Sequence, residues 1–266
     1  MRLASWNVNS LKVRLPHLLD WLREAQPHAL GLQETKTIDE KFPKAEVEAA
    51  GYHVVFSGQP TYNGVAILAR QDTFDAPREI RHNDQRLPDE QRRLIACSLR
   101  ARASGAELRF INVYVPNGAE VGSEKFTYKL AWLEALRAIV ADELEAHPSL
   151  CLVGDFNIAP SDLDVHSPKD WDGKILCSEA ERTALAALTD LGLSDSLRLR
   201  DPTGSDHFSW WDYRQAAFRR NLGLRIDLVL LSRAIAGRCT GAQIDRAPRS
   251  REQPSDHAPV WADVSL

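Results

Sequence analysis

Leu150-Cys151-Leu152-Val153-Gly154-Asp155-Phe156-Asn157 opens on four apolar residues and closes on a glycine, a carboxylate and an amide. The apolar part is too short for a helix and reads as a buried strand. Its polar end must then reach the rim of a sheet, because an unpaired buried carboxylate is costly. The same punctuation recurs along the chain. Residues 3–8 carry Asn7, residues 29–33 lead to Glu34, residues 225–231 contain Asp227, and Asp256-His257 precede the last apolar run. Oxygen ligands gathered at strand ends can hold a hard divalent cation and leave positions for water and a phosphate oxygen, which suits phosphoester hydrolysis. Taken singly, each residue has a plainer explanation as a turn cap or as loop polarity. Asp227 is harder to dismiss, since it interrupts Leu224-Arg225-Ile226 and Leu228-Val229-Leu230-Leu231. An acid inside such a strand needs a partner, and the imidazole of His257 is a suitable one.

Outward from that strand, short extended runs alternate with longer helical ones, the pattern of a layered α/β domain. Leu15, Leu18, Leu19 and Leu22 give residues 15–25 a helical face closed by Pro27, and Pro43 opens a short helix. Residues 52–57, 64–69, 93–100 and 108–115 read as successive strands, and 125–146 as the longest helix. The capping box Ser178-Glu179-Ala180-Glu181 starts a helix reaching about residue 191. Further strands are expected at 208–211, 225–231, 243–246 and 259–264, with 81–91 and 162–173 the least ordered stretches. No linker or repeat interrupts the pattern. The expectation is one α/β domain over residues 1–266, with two sheets facing each other, helices outside and functional loops at one rim.

The formal charge of −4, from 33 Lys and Arg against 37 Asp and Glu, excludes a generally basic surface. Nucleic acid would have to be held by a local Arg and Lys patch helped by a metal. Cys97, Cys151, Cys177 and Cys239 form no C-x-x-C pair and read as buried thiols. Residues 1–7 go straight into a strand-like pattern without a signal peptide, so a reducing cytoplasm is expected. No apolar stretch approaches the roughly 18 residues of a membrane span.

Five segments carry a resemblance: Ser5-Trp6-Asn7-Val8-Asn9, Gly31-Leu32-Gln33-Glu34-Thr35-Lys36, Gly154-Asp155-Phe156-Asn157, Gly223-Leu224-Arg225-Ile226-Asp227 and Pro254-Ser255-Asp256-His257-Ala258-Pro259-Val260. In order and spacing they resemble the exonuclease III family of abasic-site repair nucleases, within the endonuclease/exonuclease/phosphatase superfamily. Phe208-Ser209-Trp210-Trp211-Asp212-Tyr213-Arg214 adds to the likeness to the DNA-repair branch. The resemblance implies a four-layer α-β-β-α sandwich in which two mixed sheets pack face to face. It implies a Mg²⁺-dependent nuclease, with Mn²⁺ as an alternative, acting on double-stranded DNA at abasic sites and 3′ ends, as a monomer without an obligate protein partner. Carried over residue by residue, Glu34 is the principal metal ligand, assisted by Asn7 and by Asp256 at a second or alternative position. Asp155 orients and deprotonates the attacking water, with Asn157 donating a hydrogen bond nearby. His257, paired with Asp227, and Tyr114 contact the scissile phosphate.

By the same resemblance, Arg92-Arg93 and the pair Lys125 and Lys129 match phosphate-contacting positions, although a solvated helix face explains the lysines as well. Trp210, Leu224 and Ile226 match an apolar pocket for a base-free sugar, and all three fit a core role equally. His166 stands after Asp162-Leu163-Asp164-Val165, where some relatives carry a small residue. Bulk there would bar continuous DNA and favour 3′ ends, whereas the plainer reading is a loop histidine facing water. A phosphatase or lipid phosphoesterase of the same superfamily, and a catalytically silent DNA-binding regulator, are the competing readings. The complete set Glu34, Asp155, Asn157, Asp227 and His257 argues against the regulator.

Overall fold

The computed structural model describes all of residues 1–266. In chain order the first strands are β1 (Arg2–Asn7), β2 (Ala29–Gln33), β3 (Tyr52–Ser57), β4 (Val65–Arg70), β5 (Arg78–His82) and β6 (Leu94–Arg100). They are followed by β7 (Glu107–Tyr114), β8 (Leu150–Asp155), β9 (Leu193–Asp195), β10 (Asp227–Ser232), β11 (Cys239–Ile244) and β12 (Val260–Val264). The helices are α1 (Leu11–Ala25), α2 (Lys44–Ala49), α3 (Glu124–Ala146), α4 (Pro168–Trp171), α5 (Glu179–Thr189), α6 (Ser196–Arg200) and α7 (Arg233–Ala236).

Two six-stranded sheets result, one ordered β11-β12-β1-β2-β4-β3 and the other β5-β6-β7-β8-β10-β9. Each holds a single parallel pair, β1 with β2 and β7 with β8, joined by the crossover helices α1 and α3 respectively. The remaining pairs are antiparallel, so both sheets are mixed. Ile67, Cys97, Phe110, Val153, Val229 and Val260 fill the space between the sheets. Leu18 and Trp21 of α1 pack on the outer face of the first sheet, and Trp132, Leu136 and Val140 of α3 on that of the second. The layers are therefore α-β-β-α. Strands covered on both faces need apolar residues at successive positions, which is why β2 and β8 read as continuous runs rather than alternating ones.

Three local features position the site. A Cβ on Gly154 would stand 2.1 Å from the Val113 carbonyl oxygen, so glycine is what lets β8 close on β7 just before Asp155. Asn112 of β7 crosses between the sheets, its Nδ2 donating to the Leu32 and Ala66 carbonyls at 2.8 and 2.9 Å. Gln33 Nε2 in turn donates to Asn112 Oδ1 at 2.6 Å and to Ser5 Oγ at 2.9 Å, a buried polar tie close under the strand ends.

Some elements depart from the sequence-based expectation. Residues 81–91 begin inside β5, an edge strand whose exposed Arg78, Glu79 and Ile80 hide the alternation. The expected strand at 208–211 shrinks to isolated bridges of Trp210 with Leu224 and His257. α1 starts a turn earlier and carries Pro16 within it, while β11 starts at Cys239. β9 and α6 went unseen because three and five residues are too few to show a period.

Candidate active site

The ends of β1, β2, β7 and β8, the start of β10 and the segment before β12 meet at one rim. In the strand register Asp155 stands opposite Tyr114 on one side and Asp227 on the other. Asn7 Nδ2 donates to Glu34 Oε1 and to Asp155 Oδ2, both at 2.9 Å, and so joins a carboxylate of each sheet. Asp155 Oδ1 accepts the Asn157 N–H at 2.9 Å. Glu34 and Asn157 have φ of 51° and 50°, left-handed turns that swing the chain away once the polar group is delivered.

His257 is fixed through its other ring nitrogen. Nδ1 lies 2.9 Å from Asp227 Oδ2, which leaves Nε2 facing Asp155 Oδ2 at 3.7 Å. Ser209 Oγ donates to the same Asp227 oxygen at 2.6 Å and accepts the N–H groups of Ile226 and Asp227. The backbone is held as well, since Trp6 Nε1 donates to the His257 carbonyl and Ser255 Oγ to that of Asn7.

These contacts set the electrostatics. Burial pushes the Asp155 carboxyl well above the usual carboxylate range, opposed by His257 and reinforced by Asp227. Burial works against the charged imidazole of His257, but Asp227 and Asp155 outweigh it and hold its pKa above the ordinary histidine value. Burial, then Glu34 and Asp155, drive the Tyr114 phenol upward, so it stays a proton donor. Ligand atoms of Glu34, Asp155 and His257 lie within 4.8 Å of one another. Carboxylate oxygens crowded at this range, one of them desolvated, fit a hard divalent cation. Glu34 would hold it directly, with the Asp155 carboxylate beside it left to a bound water. Asn7 spends its N–H groups on those two carboxylates and offers only Oδ1, which also accepts the Asn9 N–H at 2.9 Å.

Asp256 stands outside that group. Its oxygens accept from Asn9 Nδ2 at 2.9 Å and Trp210 Nε1 at 3.0 Å. Lys36 Nζ closes the chain, 2.6 Å from Asn9 Oδ1 and 2.8 Å from Glu34 Oε2. Sequence reasoning missed Asn9, Lys36 and Ser209 as individual contributors. The spacing of Asn7 with Asn9 and of Glu34 with Lys36, two residues apart at a strand end, is the signal that could have shown the first two.

The expected DNA contacts divide. Arg93 stacks over the Tyr114 ring at 4.8 Å, and Lys125 is exposed on α3. Lys129 is a correction: its side chain is 0% exposed and ion-paired with Glu181, so it cannot touch a phosphate on the surface. Leu224 and Ile226, 0% and 1% exposed, pack with Ala159, Val165, Leu176 and Cys177, while Trp210 is only partly buried against them. His166 does not float in water. Its Nδ1 lies 3.0 Å from the Gly223 carbonyl, and its ring meets Trp171 and Phe208 edge-on at 6.2 and 6.5 Å.

Comparison with known proteins gives this arrangement a context. The endonuclease/exonuclease/phosphatase family model matches residues 4–257. Exodeoxyribonuclease III of Haemophilus influenzae is 39% identical over 99% of this chain and 99% of its own length. A 3′ phosphatase, NExo, from Neisseria, solved with a product DNA hairpin, is 46% identical with a TM-score of 0.94, each chain fully covered. An AP endonuclease from Archaeoglobus fulgidus is 36% identical with a TM-score of 0.91, again over the whole of both chains. The rim where Glu34, Asp155 and His257 converge thus lies in a chain that belongs to the endonuclease/exonuclease/phosphatase family, as a phosphodiester-hydrolysing nuclease of the exonuclease III type.

Proposed function

We propose that the protein is a Mg²⁺-dependent DNA repair nuclease, with Mn²⁺ as a substitute, hydrolysing phosphodiesters of double-stranded DNA at 3′ ends and at abasic sites. The observation that carries the reading is the convergence of Glu34, Asp155 and His257 within 4.8 Å at the meeting of two sheets. Residues 1–266 act as one catalytic domain and as a monomer. The four free, buried cysteines suit a reducing cytoplasm, and no helix is long and apolar enough to cross a membrane.

In this mechanism Asp155 takes the proton of the attacking water, because its carboxyl is desolvated and its pKa is moved toward neutrality. His257, held by Asp227, and the Tyr114 phenol donate to phosphate oxygens as charge builds in the pentacoordinate transition state. A bound Mg²⁺ would supply charge neutralisation at the phosphate, held by Glu34 with Asn7 as a further oxygen donor. Asn157 fixes Asp155 by its backbone N–H. Arg93 and Lys125 meet neighbouring phosphates, and Trp210 with the buried Leu224 and Ile226 beneath it receives a sugar without its base.

Processing of 3′ ends dominates in this reading. His166 is pinned by Gly223, Trp171 and Phe208 and cannot simply swing aside for a strand that continues past the scissile phosphate. The Neisseria relatives, described as a 3′ phosphatase and a 3′-5′ exonuclease, support it. Two duplexes test the proposal, one recessed at its 3′ end and one with an internal abasic analogue, each with Mg²⁺ and with EDTA. The recessed end is expected to be the better substrate, with no cleavage in EDTA. His166→Gly and His166→Ser are both expected to raise abasic incision relative to exonuclease activity, the serine controlling for loop loosening. Cleavage in EDTA would overturn the metal dependence, and an unchanged ratio in both variants would remove His166 from the account.

A further inference from the structure

Lys129 is buried where no surface role can reach it, and its three ammonium protons have three acceptors. Nζ donates to the Asn157 carbonyl at 2.6 Å, to the Asn117 carbonyl at 3.1 Å and to Glu181 Oε1. Asn117 lies in the segment leaving β7 and Asn157 in the one leaving β8, so one side chain of α3 fixes both strand exits of the second sheet. The link continues into the site. Asn157 N–H donates to Asp155 Oδ1, Asn157 Nδ2 to the Val115 carbonyl at 3.0 Å, and Asn117 Nδ2 to Asn157 Oδ1 at 3.2 Å. Asn157 has a left-handed φ of 50°, which asparagine adopts more readily than other non-glycine residues, and these hydrogen bonds fix it there.

Glu181 extends the anchor in the other direction. Besides Lys129, Oε1 accepts the Leu176 N–H at 3.1 Å, while Oε2 accepts the Ser178 N–H at 3.1 Å and its hydroxyl at 2.6 Å. Leu176 belongs to the apolar cluster of Leu224, Ile226 and Trp210, and its carbonyl accepts the Ala159 N–H at 2.7 Å. The pair therefore stands between the catalytic carboxylate and the apolar cluster. A buried ion pair is seldom better for stability than apolar packing of the same volume, so stability alone does not account for it.

We infer that Lys129 and Glu181 are positioning residues that set the placement of Asp155 and Asn157 at the end of β8. The inference rests on Asp155 as the catalytic base. A misplacement on the order of 1 Å can cost about 10²-fold in rate, and a group acting this way changes kcat while leaving ground-state binding alone.

The test uses Lys129→Met/Glu181→Gln, which leaves neither charge unpaired while taking the donor from the Asn117 and Asn157 carbonyls, beside Asp155→Asn and the wild type. Thermal melts come first, then kcat and KM on a 3′-recessed duplex, then duplex Kd in EDTA across a salt series. Expected is a fall in kcat of roughly tenfold to a hundredfold, with KM and Kd within about twofold and the salt slope unchanged. Lys129→Arg retains the charge but presents a planar fork instead of three diverging protons, so it is expected to restore the melt and only part of kcat. Should the double variant fail to fold, the arginine variant decides: a wild-type melt with reduced kcat supports the inference, and wild-type kcat overturns it. A folded double variant with wild-type kcat overturns it as well. So does a weaker Kd with a salt slope smaller by about one, the signature of a lost phosphate contact. If Asp155→Asn loses turnover while the Lys129 variants keep it, only the positioning role fails. If Asp155→Asn keeps turnover, the reading of the base fails first.

Discussion

On the side of β1 and β2, Asn7 and Glu34 connect outward through Lys36, Asn9 and Asp256, groups that are partly exposed and bonded mainly to one another. On the side of β7, β8 and β10, Asp155 and Asp227 are backed by buried charges: Lys129 with Glu181, and Arg225 with Asp164 and the partly exposed Asp195. Both sides start from a parallel strand pair and one crossover helix, yet they are finished differently. The first can exchange the partners of Glu34 and Lys36 for a cation or a phosphate at low cost, because water already reaches both side chains. The second cannot, because every unpaired charge there would remain desolvated. The open rim is thus suited to binding and the closed rim to keeping one catalytic geometry.

The largest expected effect breaks the closed side at its centre. Asp155→Asn is expected to lower turnover about 10² to 10⁴-fold while duplex binding in EDTA is retained or tightened. Its folded-state pKa is raised, so ionised Asp155 disfavours the native state, a cost that accrues as pH rises from the unfolded value to the folded pKa and is fully present above it. The metal-free variant is therefore expected to melt no lower than wild type at neutral pH, and a calorimetric scan in EDTA checks it.

Asp164→Ala probes the same side for stability. Asp164 is buried and accepts from Arg225 Nε at 2.6 Å, Arg198 Nη2 at 2.5 Å and Ser161 Oγ at 2.7 Å. Removing it is expected to cost about 3 to 5 kcal/mol in denaturant unfolding, as for a buried pair that loses one partner. Burial tends to raise the Asp164 pKa, but Arg225 and the hydrogen bonds lower it overall. Its stabilising contribution is present above the unfolded value of about 3.9 and is lost as pH falls through the folded pKa. Wild type is accordingly expected to lose more stability than the variant in that acid window.

Glu34→Gln sharpens the contrast on the open side. Metal affinity by calorimetric titration is expected to fall while the melt changes little, and raising Mg²⁺ is expected to restore part of the rate. An unchanged titration midpoint would remove Glu34 as a principal ligand. The smallest and most selective effect is expected from Trp210→Ala, which is predicted to harm abasic-site incision more than hydrolysis of a small phosphodiester. Equal losses on both substrates would make Trp210 a structural residue.

How much of this was legible in the sequence follows the same division. The layers could be read because β2 and β8 are continuously apolar and α5 announces itself with a capping box. The polar strand ends could be read because carboxylates stand out against such runs. What stayed hidden depends on partners far away in sequence. Lys125 and Lys129 look alike as an i,i+4 basic pair, and only the packing of α5 and of the segments leaving β7 and β8 on α3 buries one and leaves the other exposed. Glu181 was legible as a cap, but its second task, holding a lysine 52 residues upstream, leaves no local pattern. Ser209 was hidden for the same reason, since its acceptor Asp227 lies 18 residues on.

The claim that the two rims act as one unit on one phosphate is tested most directly by a double-mutant cycle on Glu34→Gln and Asp155→Asn, in single-turnover cleavage of a 3′-recessed duplex at saturating enzyme. If the open rim's cation and the closed rim's base depend on each other as one unit, the double variant is expected to lose little beyond Asp155→Asn alone, a coupling of at least about 1.4 kcal/mol, or tenfold. Losses that simply multiply would contradict the account, because they would mean that Glu34 and Asp155 contribute independently of one another.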